Sequence, residues 1–450
     1  MAEAAAPGVS LGQAARVWTR VAALSFGGPA GQIAVMHRIL VDEKRWIGER
    51  RFLHALNYCM LLPGPEAHQL SIYIGWLMNG VPGGLIAGAL FVLPGFLALM
   101  GLSLIYVVWG HLALVTGLFF GLKAAVLAIV LQAVIRVGKR TLRGPAQAAL
   151  AVGAFLALFL AHVPFPLVVL SAGLIGFVAG RLGAWPAASG GHGGKSGAGL
   201  ADMDSLLGEA ASVSPAANAF KAGIACAALW LLPVAALLAV PSGVYADLAV
   251  FFSQMAVVTF GGAYAVLAYV AQQAVEARHW LKPGEMVDGL GLAETTPGPL
   301  IITNQFVGFL AAYRAPDALP PLLAGVLGGT LTSWVTFLPS FVWIFLGAPF
   351  AERLREAKAL TAALAAIGAA VVGVIANLAL WFGLRVLFAE VQPVHALGLG
   401  FDLPVLGSVN GPALALTAGA ALGLFGLKLG PIKVLAACAA VGALYTLVVR

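Results

Sequence analysis

The chain runs to 450 residues, 61% of them hydrophobic and only 10% charged, with a formal net charge of +7. Soluble domains carry about 25% charged residues, so this composition and a mean hydropathy of +0.97 exclude a soluble globular protein. In a membrane protein the basic excess reads as loop charge that sets topology, and not as a nucleic-acid footprint.

Met1–Ser10 has neither a charged n-region nor an apolar h-region, and Arg16 and Arg20 follow, so no cleavable signal is expected. A first apolar element over about 12–36 is interrupted at Phe26-Gly27-Gly28. A basic loop, Arg38–Arg51, leads to a second element over about 52–80, interrupted at Pro63-Gly64-Pro65. Apolar stretches follow at 82–108, 112–136, 146–161 and 165–181. Pro186–Ser214 is rich in Gly, Ser and Ala and reads as a linker outside the bilayer. A further helix is predicted at 217–240. Then the scheme repeats. Broken elements at 246–275 and 285–313 carry Phe260-Gly261-Gly262 and Pro297-Gly298-Pro299, and apolar stretches occupy 320–347, 359–388, 411–427 and 431–449.

Trp46 and Trp280 keep the same offset as the two pairs of breaks. Pro94 and Pro339, and Ala124-Ala125-Val126 and Ala369-Ala370-Val371, share a longer one. The chain is therefore a duplication with a short insertion in its second copy. The expected organisation is a first repeat over 1–183, a cytoplasmic linker over 184–216, a connecting helix over 217–245 and a second repeat over 246–450.

Charge placement sets the crossings. The loops Arg38–Arg51 and Arg136–Arg143 are both basic and both expected in the cytoplasm. They fall on one side only if 52–80 enters the membrane and returns at its Pro-Gly-Pro break. In the second copy the basic loops are Arg353–Lys358 and Lys428–Lys433, which are not the positional equivalents of those in the first. All four become cytoplasmic if the helix at 217–240 reverses the second copy. The expected fold is an all-α polytopic membrane protein of two inverted-topology repeats, with four re-entrant hairpins and about nine full spans. Single long spans over 12–36 and 246–275 are the alternative.

Paired breaks at corresponding positions of two repeats point to a substrate site. A Pro-Gly-Pro inside the bilayer frees backbone groups, which are tolerated only against protein or a water-filled cavity. The helix that resumes after each break offers unpaired N–H groups and a partial positive charge, suited to an anion. The candidate binding residues are thus Phe26, Gly27 and Gly28 with Pro63, Gly64, Pro65, Gln69 and Ser71 in copy one. In copy two they are Gly261, Gly262, Pro297, Gly298, Pro299, Thr303, Asn304 and Gln305. Glu66 follows one break and Glu294 precedes the other. A carboxyl group at low dielectric can take up and release a proton, so each is a candidate coupling group. Lys123 is a candidate charge partner for substrate or carboxylate, Asp288 and Glu285 read as interfacial, and Arg136 reads as an anchor. His68 is mid-segment and reads as structural.

Cys59, Cys226 and Cys438 lie in apolar segments without CxxC spacing, so packing cysteines are expected and neither a disulfide nor a metal site. Ser189–Ser196 is similar to a P-loop but lacks its first glycine and flanking strand and helix. No Gly-x-Ser-x-Gly or His-Glu-x-x-His occurs. No enzyme activity and no cofactor are expected.

Phe-Gly-Gly-Pro at 26–29, Trp46, Pro-Gly-Pro-Glu at 63–66 running into Tyr73-Ile74-Gly75-Trp76, and Thr296-Pro297-Gly298-Pro299 with Phe306-Val307-Gly308 are together specific. On them the chain resembles the chromate ion transporter family in its long, two-domain form. Ala263 stands where the first copy has Pro29, a departure from equal roles for the two Phe-Gly-Gly breaks. The resemblance implies proton-coupled export (antiport) of chromate across a bacterial inner membrane, giving chromate resistance. Sulfate or another oxyanion as substrate, and a passive oxyanion channel, are the alternatives. The implied partners are a chromate- or sulfate-like oxyanion, protons and the lipid bilayer, with no nucleic acid, in a monomer or homodimer.

Overall fold

A computed structural model describes residues 9–183, 185, 200, 204–207, 216–240, 243–260, 262–347, 358–396 and 399–449. Most of the expected 184–216 linker, Gly261 and the greater part of the Arg353–Lys358 loop lie outside the described residues. Helix dominates, as expected of an all-α polytopic membrane protein. Each predicted interruption that falls within the described residues is a real helix end.

Ser10 opens the first helix, α1 (Leu11–Leu24), with a capping box in which its hydroxyl accepts the Gln13 N–H and the Gln13 side chain accepts the Ser10 N–H. The chain breaks at Gly27, held in the left-handed region at φ 82°, and resumes as α2 (Gly28–His37). After α3 (Glu49–Cys59) comes the Pro63–Pro65 break and then α4 (Glu66–Trp109). α4 is kinked at Asn79 and Gly80, and the positive φ of Gly80 makes it two helices laid end to end. α5 (Ala113–Thr141), α6 (Pro145–Phe159) and α7 (Phe165–Arg181) complete the first repeat. α8 (Ala216–Ala239) connects.

The second repeat begins with α9 (Val244–Val258) and α10 (Ala263–Gln272), broken between them, then α11 (Pro283–Thr295) and α12 (Thr303–Arg314) around the second Pro-Gly-Pro. α13 (Pro321–Gly347) and α14 (Lys358–Leu387) follow. An antiparallel hairpin, β1 (Val391–Ala396) and β2 (Leu399–Pro404), precedes α15 (Gly411–Ala421) and α16 (Pro431–Val449). The hairpin is a second insertion in this repeat, beyond the single one expected. The first insertion is also visible: a separate loop and an earlier start to α13 replace the Asn79–Gly80 kink.

The duplication reaches fine backbone detail. α2 and α10 both end in a π-turn, at Arg38–Glu43 and Gln273–Ala277. Arg45 and His279, at matching positions, both adopt φ 52°. The next residues, Trp46 and Trp280, donate their N–H to Leu40 and Ala274 at 2.8 and 2.7 Å. No helix beside the breaks, apart from α4, exceeds the 15 residues of α9. At 1.5 Å per residue that is about 22 Å, too short alone for a hydrocarbon core of about 30 Å.

Among the described residues six helices are long and apolar enough to cross a membrane: α4, α5, α8, α13, α14 and α16. α6, α7 and α15, which the count of about nine spans includes, have 15, 17 and 11 residues.

The repeats are interlocked through reciprocal contacts: α5 packs on α16 and α15, and α14 packs on α7 and α6. Small residues allow the close approach. Gly117 sits against Gly442 and Thr446, while Gly121 sits against Cys438, so α5 and α16 run antiparallel. Gly173 faces Ile367 and Gly180 faces Ala359 and Ala362, so α7 and α14 also run antiparallel. Short connections make α5, α6 and α7 alternate in direction, so α5 and α7 point the same way. Antiparallel partners from the other repeat then require the two copies to run in opposite senses.

A side chain at Gly121 would collide with the Cys438 carbonyl. Gly121→Val is therefore expected to destabilise the protein by about 1–3 kcal/mol through overpacking. Thermal unfolding in detergent checks this, with Gly153→Val, at a position with open space around it, as the silent control.

Candidate functional site

The breaks are tied to one another across the repeats. Gly64 N–H donates to the Thr259 carbonyl at 2.8 Å, and Gly298 N–H donates to the Ser25 carbonyl at 2.8 Å. Gly64 corresponds to Gly298 and Ser25 to Thr259, so the two bonds are one interaction made twice. Gly95 approaches Pro297 so closely that a side chain would strike its carbonyl, and Ser340, its counterpart, flanks Gly64.

Three of the four breaks open into one cavity of about 780 Å³. Gly27 and Gly28 line it from the first break, Gly64 and Glu66 from the second, and Gly262 from the third. The N-termini of α2, α4 and α10 thus converge on it; the N-cap positions Gly27, Pro65 and Gly262 supply no side-chain cap, and at α4 the Glu66 carboxylate takes its own N–H. First-turn N–H groups and the positive ends of three helix dipoles suit an anion.

The cavity lining is also cationic. α5 does not stop at Arg136, as the charge pattern suggests, but continues to Thr141. Arg136 and Arg140 therefore lie at i and i+4 on one face of α5, Arg143 follows just beyond its end, and all three line the cavity, while Lys139 does not. The signal was in the sequence as spacing, and reading the segment as a basic loop concealed it.

Each repeat sends one carboxylate towards this arginine row. Glu66 lines the cavity, takes its own backbone N–H and has Arg140 as its cationic neighbour. Glu294 is 5% exposed, accepts the Tyr264 hydroxyl at 2.5 Å and has Arg136 as its cationic neighbour. Tyr264 lines the cavity, whereas Glu294 is not among its lining residues.

The other candidates are placed differently. The Gln69 amide donates to the Pro63 carbonyl at 2.6 Å and the Gln305 amide to the Phe96 carbonyl at 3.0 Å. Ser71 and Thr303 donate to His68 and Leu300, and the Asn304 amide reaches Met255 Sδ. All five are buried and none lines the cavity. Phe26, Pro63, Pro65 and the Pro297–Pro299 break also stand outside its lining, although Gln32 donates to the Gly298 carbonyl at 2.6 Å. His68 is fully buried among the rings of Phe91, Phe337 and Phe341.

Lys123 pairs with Asp288 at 3.2 Å, and Tyr106 donates to the same carboxylate oxygen at 3.0 Å. Asp288 is only 3% exposed, so it is a buried member of the ion pair. Lys123→Met is expected to cost about 1–3 kcal/mol by stranding that carboxylate. Adding Asp288→Leu should recover most of the loss in detergent unfolding experiments.

Two repeats of opposite sense around a polar, dipole-lined cavity define a multi-pass membrane transport protein. A sequence profile of the chromate transporter family matches residues 12–177 and 246–443, and the chain belongs to that family. It is 33% identical over 377 residues to a chromate transport protein of Pseudomonas aeruginosa, covering 83% of this chain and 81% of that one. It is 28% identical over 372 residues to the chromate transport protein of Cupriavidus metallidurans, covering 82% of each. An uncharacterized transporter of Bacillus subtilis, YwrB, is 31% identical over 126 residues, 28% of this chain and 64% of its own. No solved structure matches the chain.

Proposed function

We propose that the protein exports chromate across a bacterial inner membrane, coupled to protons, and so confers chromate resistance. The observation that carries this reading is the cavity in which three helix N-termini meet Arg136, Arg140 and Arg143. Chromate is a tetrahedral oxyanion, divalent above neutral pH. Three dipole ends and the arginine forks offset its lost hydration. The polar residues that flank the breaks hold the break backbones in place, and the arginines supply charge.

Glu66 and Glu294 act as the proton carriers. Each carboxylate offsets the positive field of an arginine that the oxyanion needs, so protonation strengthens that field and oxyanion binding favours protonation. Proton and oxyanion thus share a half-cycle, in place of the exchange expected from the sequence. A divalent ion accompanied by one proton carries one net negative charge. An inside-negative potential drives that charge outward with about 2.3 kcal/mol per 100 mV.

Inverted vesicles with labelled chromate, sulfate as competitor and imposed pH and voltage gradients test the reading. Uphill, gradient-dependent chromate accumulation is expected. Uptake that only equilibrates would replace the carrier by a passive channel, and stronger competition by sulfate than by chromate itself would move the substrate to sulfate.

A further inference from the structure

A second cavity, of about 60 Å³, lies at the far end of the helices that wall the first. α6 lines the main cavity with Gln147 and the second with Leu158 and Phe159. That stretch of helix is about 16 Å long at 1.5 Å per residue. α10 passes from Tyr264 in the first to Ala268–Gln272 in the second, and α14 from Thr361–Ile375 to Val374–Leu384. The two cavities therefore abut at Val374 and Ile375. Between them the helices close on Val266, Leu267 and Val371, all fully buried. Phe165, 1% exposed and in the second cavity's wall, stacks on Tyr269 at 5.4 Å.

The lining of the second cavity also includes polar groups. His162, Gln272, Asn377, Glu276 and Asp402 line it. Asp402 belongs to the β1–β2 hairpin, the insertion that the first repeat lacks. Two bonds hold the hairpin down. Gly400 N–H donates to the Leu160 carbonyl at 3.0 Å, and Arg385 pairs with Asp402 at 3.1 Å. The Arg385 guanidinium also stands 4.0 Å from Glu276 and 4.2 Å above the Trp381 ring, whose Nε1 donates to Glu276 at 2.9 Å. Its other terminal nitrogen, Nη1, is buried with no hydrogen-bond partner. A guanidinium with an unspent buried N–H, shared between two carboxylates, is under-satisfied for a permanent structural pair. It suits a pair that separates during a cycle.

We propose that the second cavity is the far half of the translocation route, with the β1–β2 hairpin as its cover and the Arg385–Asp402 pair as the latch. This rests on the main cavity being the transport site. The Arg385–Asp402 pair is made in this structure. Lifting the hairpin withdraws Asp402 and turns Arg385 into a binding group for the departing oxyanion, beside Asn377 and Gln272.

The test uses the full chain in a background of Cys59→Ala, Cys226→Ala and Cys438→Ala, reconstituted in vesicles. Asn377→Cys is labelled with a membrane-impermeant maleimide, and Asp402→Asn is expected to speed labelling at least about fivefold by raising the open population. In parallel, Leu160→Cys with Gly400→Cys bridges the hairpin where the backbones already bond. Oxidation should stop chromate uptake, reduction should restore it, and equilibrium chromate binding should survive the lock. Equal labelling with and without Asp402→Asn, or full uptake by the oxidised protein, overturns the latch. Failure of the unaltered protein to move chromate overturns the transport reading instead, and the labelling arm still decides whether the hairpin opens.

Discussion

Vesicles carrying Arg136→Gln together with Arg140→Gln are expected to take up subsaturating chromate at least about a hundredfold more slowly than the unaltered protein. Charge-assisted hydrogen bonds contribute about 1.5–3 kcal/mol each, and 1.4 kcal/mol is a factor of ten. Two such groups, one turn apart on α5, face the same cavity. The loss should fall mainly on KM, since the arginines meet the ion on arrival. Arg140→Lys should recover only part, because an ammonium keeps the charge and loses the planar fork. Lys139→Gln, exposed on the same helix and outside the cavity lining, should behave as the unaltered protein. A double variant within threefold of normal would remove the arginines from the site.

Chromate binding should tighten as pH falls and should lose that dependence in Glu66→Gln, Glu294→Gln protein. The sign follows from geometry. At high pH both carboxylates are charged and each opposes the positive field of its cationic neighbour, Arg140 for Glu66 and Arg136 for Glu294. As pH falls the carboxyls take up protons, their opposing negative charge is removed, and the oxyanion meets a more positive cavity. Glutamine mimics the protonated form at every pH. The variant should therefore bind about ten- to a hundredfold more tightly than the unaltered protein at high pH, the size of one charge-assisted contact. It should also fail to respond to an imposed pH gradient in vesicles. Glu294→Gln additionally alters the group that Tyr264 donates to, so the single variants separate the two coupling sites. pH-driven uptake that survives the double change would sink the coupling role.

The fold class and the breaks were legible because a membrane leaves few ways to interrupt a helix. Gly27, Gly64, Gly262 and Gly298 all have positive φ, a conformation that the repeated glycines advertised. The reversed second copy followed from loop charge, and glycine contacts between α5 and α16 give the same answer. The direction in which polar side chains point was not legible. Gln69 and Gln305 flank breaks whose freed carbonyls need donors, so their amides serve the backbone and not the cavity. Charge misled where it coincided with a helix end: Arg136 looked like the edge of a span, yet α5 runs on and turns its arginines inward. The hairpin at 391–404 gave no warning. It holds Pro393 and has no sustained alternation, so it reads as a loop.

The paired amides of Gly64 and Gly298 have a bearing on assembly. Each finds its acceptor only on the other repeat. A single repeat, alone in lipid, would strand that amide at a cost of several kcal/mol. It would also bare the glycine faces of α5 and α7 that the other half covers. The smallest stable unit is therefore two repeats, whether joined in one polypeptide or brought together from separate ones. This chain is in effect a dimer with its subunits spliced, and α8 is the splice.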